Sequence, residues 1–143
     1  MASGAVILPA ESAGAGAKLH VTHWLPEGRP RAIVLLAHGY AEHAGRYAHV
    51  AKRLTDAGYA IYAVDHWGHG ASDGDGGYVP RFSAFLDGMA ELLTLVEINH
   101  GDTPRLLLGH SMGGLIATLF LIGRQQAFVA AALSGPALLP AQP

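Results

Sequence analysis

Cysteine is absent from the 143 residues. That excludes a disulfide framework and thiolate metal sites, and it agrees with a reducing cytosol. Charge is scarce as well: Asp, Glu, Lys and Arg make up 14% of the chain and the formal net charge is −2. With no basic cluster, nucleic acid is not an expected partner. No Lys or Arg lies within Met1–Ala17, and Ala5-Val6-Ile7-Leu8 is too short for the core of a secretion signal. The longest apolar stretch, Leu115–Gly123, stops at Arg124-Gln125-Gln126, well short of a membrane span. A soluble, cytoplasmic protein is expected. Neither G-x-G-x-x-G nor a Walker lysine occurs, so nucleotide binding has no support. Cofactor and metal are both expected to be absent. His66 and His69 lack further ligands at metal spacing, and Asp73-Gly74-Asp75-Gly76 lacks the later ligands of a calcium loop.

What is present is apolar and ordered. Half of the residues are hydrophobic, enough for the core of one globular domain rather than a disordered chain. Ala5–Leu8 and Leu19–Trp24 read as two strands joined as a hairpin through the Gly-, Ala- and Ser-rich segment Glu11–Ala17. The continuous apolar runs Ala32–Ala37 and Tyr59–Val64 read as strands covered on both faces. Between them, Tyr47, Val50, Ala51, Leu54 and Ala57 recur at helical spacing. Phe82, Phe85, Leu86, Met89, Leu92, Leu93 and Val96 form a second helical stripe, a core face. Leu106–Leu108, a helix from Leu115, and Phe128–Leu133 complete the series. The expected fold class is α/β, a mostly parallel, doubly wound sheet with helices on both faces. Pro136–Pro143 lack either pattern and read as the start of a connection.

The chemistry concentrates in Leu106-Leu107-Leu108-Gly109-His110-Ser111-Met112-Gly113-Gly114. A strand-like run meets a serine between two glycines, and helical periodicity begins at once. This is G-x-S-x-G in the strand–turn–helix setting of a nucleophile elbow. Gly109 and Gly113 lack a Cβ, so strand and helix approach closely around a strained serine. The turn lifts the Ser111 hydroxyl above the sheet, and the new helix aims its unpaired N–H groups at whatever Ser111 attacks. Acyl transfer needs a second backbone donor facing the nucleophile. His38-Gly39-Tyr40, after the Ala32–Ala37 strand, is placed to supply it: Gly39 lets the chain bend and presents the Tyr40 N–H opposite that of Met112. The same segment also fits an ordinary strand-to-helix loop with Glu42 in the first helical turn.

Three segments in order, HGYAEHAGRY, DHWGHGASDG and GHSMGG, resemble the monoacylglycerol lipase and lysophospholipase branch of the α/β-hydrolases. They span residues 38–114, and the flanking strands extend the likeness over nearly the whole chain. The resemblance implies a serine hydrolase of acyl-glycerol or lysophospholipid esters, with an eight-stranded sheet, no cofactor, and a mobile lid after the sixth strand that would make transient contact with a membrane surface. It places Ser111 on the nucleophile and Tyr40 and Met112 on the oxyanion-hole donors.

One departure matters more than the match. The family's triad runs Ser, then Asp or Glu, then His, yet beyond Ser111 this sequence has no Asp, Glu or His. The triad acid and histidine are therefore none of this chain's residues. The 143 residues are expected to be the amino-terminal portion of a single α/β-hydrolase domain: its first six strands, ending where the lid would begin, without the last two strands. His38, His43, His69 and His110 lie off the position of the base and are not expected to replace it. Losing the base of such a site costs about 10⁴- to 10⁶-fold in turnover, so the chain alone is expected to be inactive. The Phe128–Leu133 strand would present an apolar open edge, favouring self-association or pairing with a complementing carboxyl-terminal half. Two further readings are a non-catalytic binding or assembly subunit completed by a partner chain, and acyl transfer to an alcohol instead of water. Aspartate at the elbow, as in dehalogenases and epoxide hydrolases, is excluded by Ser111.

Overall fold

A computed structural model describes residues 1–139; Pro140–Pro143, the end of the expected connection, lie outside the described residues. Six strands form one sheet: β1 (Ala2–Pro9), β2 (Lys18–Leu25), β3 (Ala32–Ala37), β4 (Tyr59–Val64), β5 (Arg105–His110) and β6 (Ala130–Ser134), in the order β1-β2-β4-β3-β5-β6. The β1–β2 hairpin and the β2–β4 pair are antiparallel. The β4–β3, β3–β5 and β5–β6 pairs are parallel. Three helices, α1 (Ala48–Asp56), α2 (Ser83–His100) and α3 (Met112–Ile122), connect them.

The apolar runs become the central strands because both of their faces are covered. Every residue of β3 is buried, as are five of the six in β4. On one face, α1 packs Ala51 and Leu54 against Val34, Leu36, Ile61 and Ala63. On the other, α2 and α3 bury Phe85, Met89, Leu92, Val96, Ile116 and Phe120 against Ile33, Leu35, Tyr62 and Leu107. Burial of such side chains contributes roughly 1.5–3 kcal/mol each, so the two apolar layers fix which edges of the strands face which helix. The α/β class and the helices on both faces are as expected from the sequence.

Boundaries shift where neighbours, not propensity, decide them. β1 extends to Ala2 because Ala2, Ser3 and Gly4 pair with Leu25, Trp24 and His23 of β2. β5 runs on through Gly109 and His110, which pair with Leu133 and Ser134. A short helical turn at Gln125–Ala127 precedes β6, which starts two residues later than the apolar run. All five residues of β6 are exposed, and among the described residues it is one of the sheet's two outer strands, with β1 at the opposite edge.

Candidate active site

Strand register brings the two chemical segments together. Ala37 of β3 is level with Gly109 of β5 in a parallel pair, so His38-Gly39-Tyr40 and His110-Ser111-Met112 leave the sheet side by side at its carboxyl edge. In open parallel sheets that edge is where ligands sit. A Cβ placed on Gly39 would approach the Ser111 Cβ to 3.3 Å. The loop after β3 therefore lies directly against the elbow.

Ser111 has φ 54° and ψ −119°, one of two non-glycine residues with positive φ among those described; the other is Ala41, in the loop opposite. Side chains rarely tolerate this conformation, and holding one there costs about 1–3 kcal/mol. The surroundings enforce it. The Ser111 N–H donates to the Ser134 carbonyl, and the Ser111 carbonyl accepts from the N–H groups of Gly114, Leu115 and Ala137. The flanking glycines permit the approach: a Cβ on Gly109 would stand 2.5 Å from the Gly113 carbonyl oxygen, and one on Gly113 would collide with the Ala37 carbonyl oxygen. Among the described residues, neither the Tyr40 nor the Met112 N–H donates to a protein acceptor. The Tyr40 side chain is exposed, with its ring edge-on to that of His69.

Polar contacts that the sequence did not reveal hold the loop after β3. Glu42 Oε2 accepts from the Gly39 N–H at 2.9 Å and from the Tyr47 hydroxyl at 2.8 Å. Burial pushes the Glu42 carboxyl up, but these two donors, with His110 and Arg46 nearby, outweigh it and hold the group below the usual carboxylate range. Asp65, buried at the end of β4, accepts from Ala44 N–H through Oδ1 at 2.7 Å and from Ala71 N–H through Oδ2 at 2.9 Å. One carboxylate thus ties the loop after β3 to the loop after β4.

Histidines crowd beneath these loops. The rings of His38 and His66 lie 4.2 Å apart, and those of His38 and His69 5.4 Å apart. Burial, joined by repulsion from His69, lowers the His38 pKa to about 4 despite its hydrogen bond to Gly39 and the nearby carboxylates. Burial also pushes His66 well below the ordinary imidazole value, with His38 and His69 adding to the effect. His38, His69 and His110, three of the four alternatives for a base, each direct Nδ1 at a carbonyl oxygen, that of Gly39, Trp67 and Ser134 respectively. Among the described residues, no group of three or more potential ligands is arranged to hold a metal ion, and no helix is long and apolar enough to cross a membrane. On the α1 side a cavity of about 380 Å³ has Glu42, Arg46, Tyr47, His49, His110 and Ser134 in its wall; Ser111 is not part of that wall.

The family model described as serine aminopeptidase, S33, matches residues 28–143. The chain belongs to this family of α/β-hydrolases. It is 43% identical over 123 residues to the monoacylglycerol lipase of Mycolicibacterium smegmatis, an alignment covering 86% of this chain and 44% of that protein. It is 36% identical over 124 residues to human monoglyceride lipase, covering 87% and 41%. Among solved structures, the thermostable carboxyl esterase of Bacillus coagulans in complex with glycerol superposes with a TM-score of 0.82 at 27% identity, covering 93% of this chain and 44% of the esterase. The chain therefore spans less than half the length of each of these three proteins, and its resemblance to the monoacylglycerol lipase branch stands.

Proposed function

We propose that Ser111 is the nucleophile of a serine ester hydrolase acting on acyl-glycerol or related lipid esters, and that Tyr40 and Met112 are its oxyanion donors. In the reaction, Ser111 Oγ attacks the ester carbonyl and loses its proton to a base. The carbonyl oxygen becomes an oxyanion between the two backbone N–H groups. The acyl-serine forms as the alcohol leaves with a proton, and water then releases the fatty acid. Each oxyanion donor is worth ~3 kcal/mol in the transition state.

The observation that carries this reading is the strained Ser111 backbone between β5 and α3, with two unused N–H groups beside it. Strained backbone of this kind clusters at functional sites, and at φ 54° Ser111 is held in it by bonds from β6 and α3. The lipid ester substrate is supported by the names of the lipase relatives. The base and its orienting acid come from outside these 143 residues, because Ser111 is followed by no Asp, Glu or His. Without them the hydroxyl is an unactivated alcohol, and only about 10³- to 10⁴-fold acceleration over water remains, from the oxyanion hole and binding.

The test is hydrolysis of a short p-nitrophenyl ester, together with labelling by a fluorophosphonate mapped by mass spectrometry. Slow labelling confined to Ser111 and lost in Ser111→Ala is expected, with ester turnover at least about 10⁴-fold below that of an intact lipase. Turnover by this chain at a normal lipase rate would refute the external base. Activity that survives Ser111→Ala would refute the nucleophile.

A further inference from the structure

We propose that β1 is a self-complementary pairing edge: two copies of this chain join β1 to β1 antiparallel, about a two-fold axis at Ala5, into one continuous sheet. β1 is the outer strand opposite β6, and the ladder behind it shows which of its backbone groups are free. The Ala10 N–H donates to the carbonyl of Ala17 directly opposite. Bonded pairs in an antiparallel ladder alternate with unbonded ones, so in the register of this hairpin Ala2, Gly4, Val6 and Leu8 bond inward to β2. Lys18 and His20 of β2 agree, since both turn their N–H and carbonyl groups away from β1, to Asp73, Ser72 and Asp65. The N–H and carbonyl groups of Ser3, Ala5 and Ile7 therefore point out from the edge, where no described residue bonds to them. Pro9 takes an outward position too, where its missing N–H leaves the hairpin intact.

Such edges are usually guarded by a charge or a bulge. β1 carries neither: Met1–Ala10 contain no Asp, Glu, Lys or Arg, and the register with β2 is unbroken. The partner is read from the strand itself. Ala2-Ser3-Gly4 is small, Val6-Ile7-Leu8 is large, and Ala5 lies between them. Pairing about Ala5 sets Ser3 opposite Ile7 of the second copy and Ala5 opposite Ala5, so every outward donor meets an outward acceptor. It also sets Gly4 opposite Val6 and Ala2 opposite Leu8, a small side chain against each large one. Ile7, 55% exposed in one copy, is partly covered by the other. A slip of one residue faces outward groups with inward ones. A slip of two toward the turn sets Ser3 against Pro9, which has no N–H to donate; a slip of two the other way sets Gly4 against Gly4 and takes Ile7 off Ser3. One strand per partner covers less than the roughly 1,200–2,000 Å² of a standard stable interface, so the dimer is weak, with Kd about 10–100 µM. It leaves each β6 edge free and is independent of the reaction at Ser111.

Sedimentation of the full chain carrying Leu133→Lys, which weakens association through β6, is expected to show a monomer–dimer equilibrium in that range and nothing larger. Ala5 is exposed, so a charge there spares the core. Ala5→Lys sets like charges face to face on the two-fold axis and should weaken dimerisation at least about tenfold. Ala5→Glu should do the same, and mixing the two variants should restore the dimer. Because the chain lacks cysteine, single cysteines report the register. A short bismaleimide should join Ala5→Cys to itself, since directly opposite Cα atoms lie about 5.5 Å apart. Ser3→Cys should not be joined to itself, its two copies being about 14 Å apart along the strands, but Ser3→Cys mixed with Ile7→Cys should be. Should a charge variant not fold, the cysteine pairs still decide. An Ala5→Lys chain that dimerises like its parent would overturn the proposal, as would Ser3→Cys joined as readily as Ala5→Cys. A Leu133→Lys chain that stays monomeric throughout the range would also overturn it; if the parent associates, both edges then belong to one head-to-tail contact.

Discussion

Replacing Gly113 with alanine tests the close approach on which the elbow depends. The new Cβ would overlap the Ala37 carbonyl oxygen and lie 2.5 Å from both the Ala37 carbonyl carbon and the His38 carbonyl oxygen. These are backbone atoms of β3 and the residue after it, so no side chain can swing aside. The start of α3 must instead retreat from β3 by about 1 Å to restore ordinary contact distances. Overpacking of this kind costs about 1–3 kcal/mol. Better helix propensity of alanine returns less than ~1 kcal/mol at the first turn, leaving a net loss of about 2 kcal/mol. For a chain of this size that is a fall in Tm of about 8 °C. The geometric effect is larger than the thermal one, because a 1 Å displacement between reacting groups costs about 100-fold in rate, and α3 carries Met112 while β3 leads to Tyr40. Thermal unfolding and fluorophosphonate labelling of parent, Gly113→Ala and Gly123→Ala measure both effects. Gly123 has negative φ and a Cβ there would meet nothing within 4 Å, so that control should unfold within ~0.5 kcal/mol of the parent. A Gly113→Ala chain as stable and as reactive as the control would refute the crowding argument.

Ser111→Gly should raise stability by about 1 kcal/mol by relieving the strained φ, while abolishing labelling; urea midpoints check the sign, and a lower midpoint would contradict the strain. Acid should destabilise the fold through His38. Its folded pKa of about 4 lies below the ordinary imidazole value of 6.5, so below pH 6.5 the unfolded chain takes up a proton that the folded chain refuses. Folding then loses about 3 kcal/mol as pH falls from 6.5 to 4, and His66 acts in the same direction; urea midpoints that stay flat across this window would contradict the buried neutral ring. The exposed β6 edge should promote self-association. Leu133→Lys, which puts a charge on that edge, should lower the weight-average mass in sedimentation, and an unchanged distribution would locate any association elsewhere.

The elements were legible where one physical signal dominated. Ala32–Ala37 and Tyr59–Val64 are apolar without interruption because both of their faces are covered, and the glycines around Ser111 mark a backbone that no other residue could follow. The arrangement around them was not legible, because it depends on register between distant strands. Nothing local to His38 indicates that the loop after β4 will bring the His66 N–H to its Nε2. Likewise, only the folded chain sets Asp65 between Ala44 and Ala71, or bends Glu42 back onto Gly39. The sequence named Tyr40 and Met112 from their positions beside two turns; what it could not supply was the set of side chains that hold those turns in place.

The bond from the Ala137 N–H to the Ser111 carbonyl has a mechanical consequence. It couples the segment after β6 directly to the residue at the tip of the elbow, beside the bonds from Gly114 and Leu115 to the same carbonyl. The strained φ of Ser111 is therefore clamped from both sides, by β6 at its N–H and by the residues that follow β6 at its carbonyl.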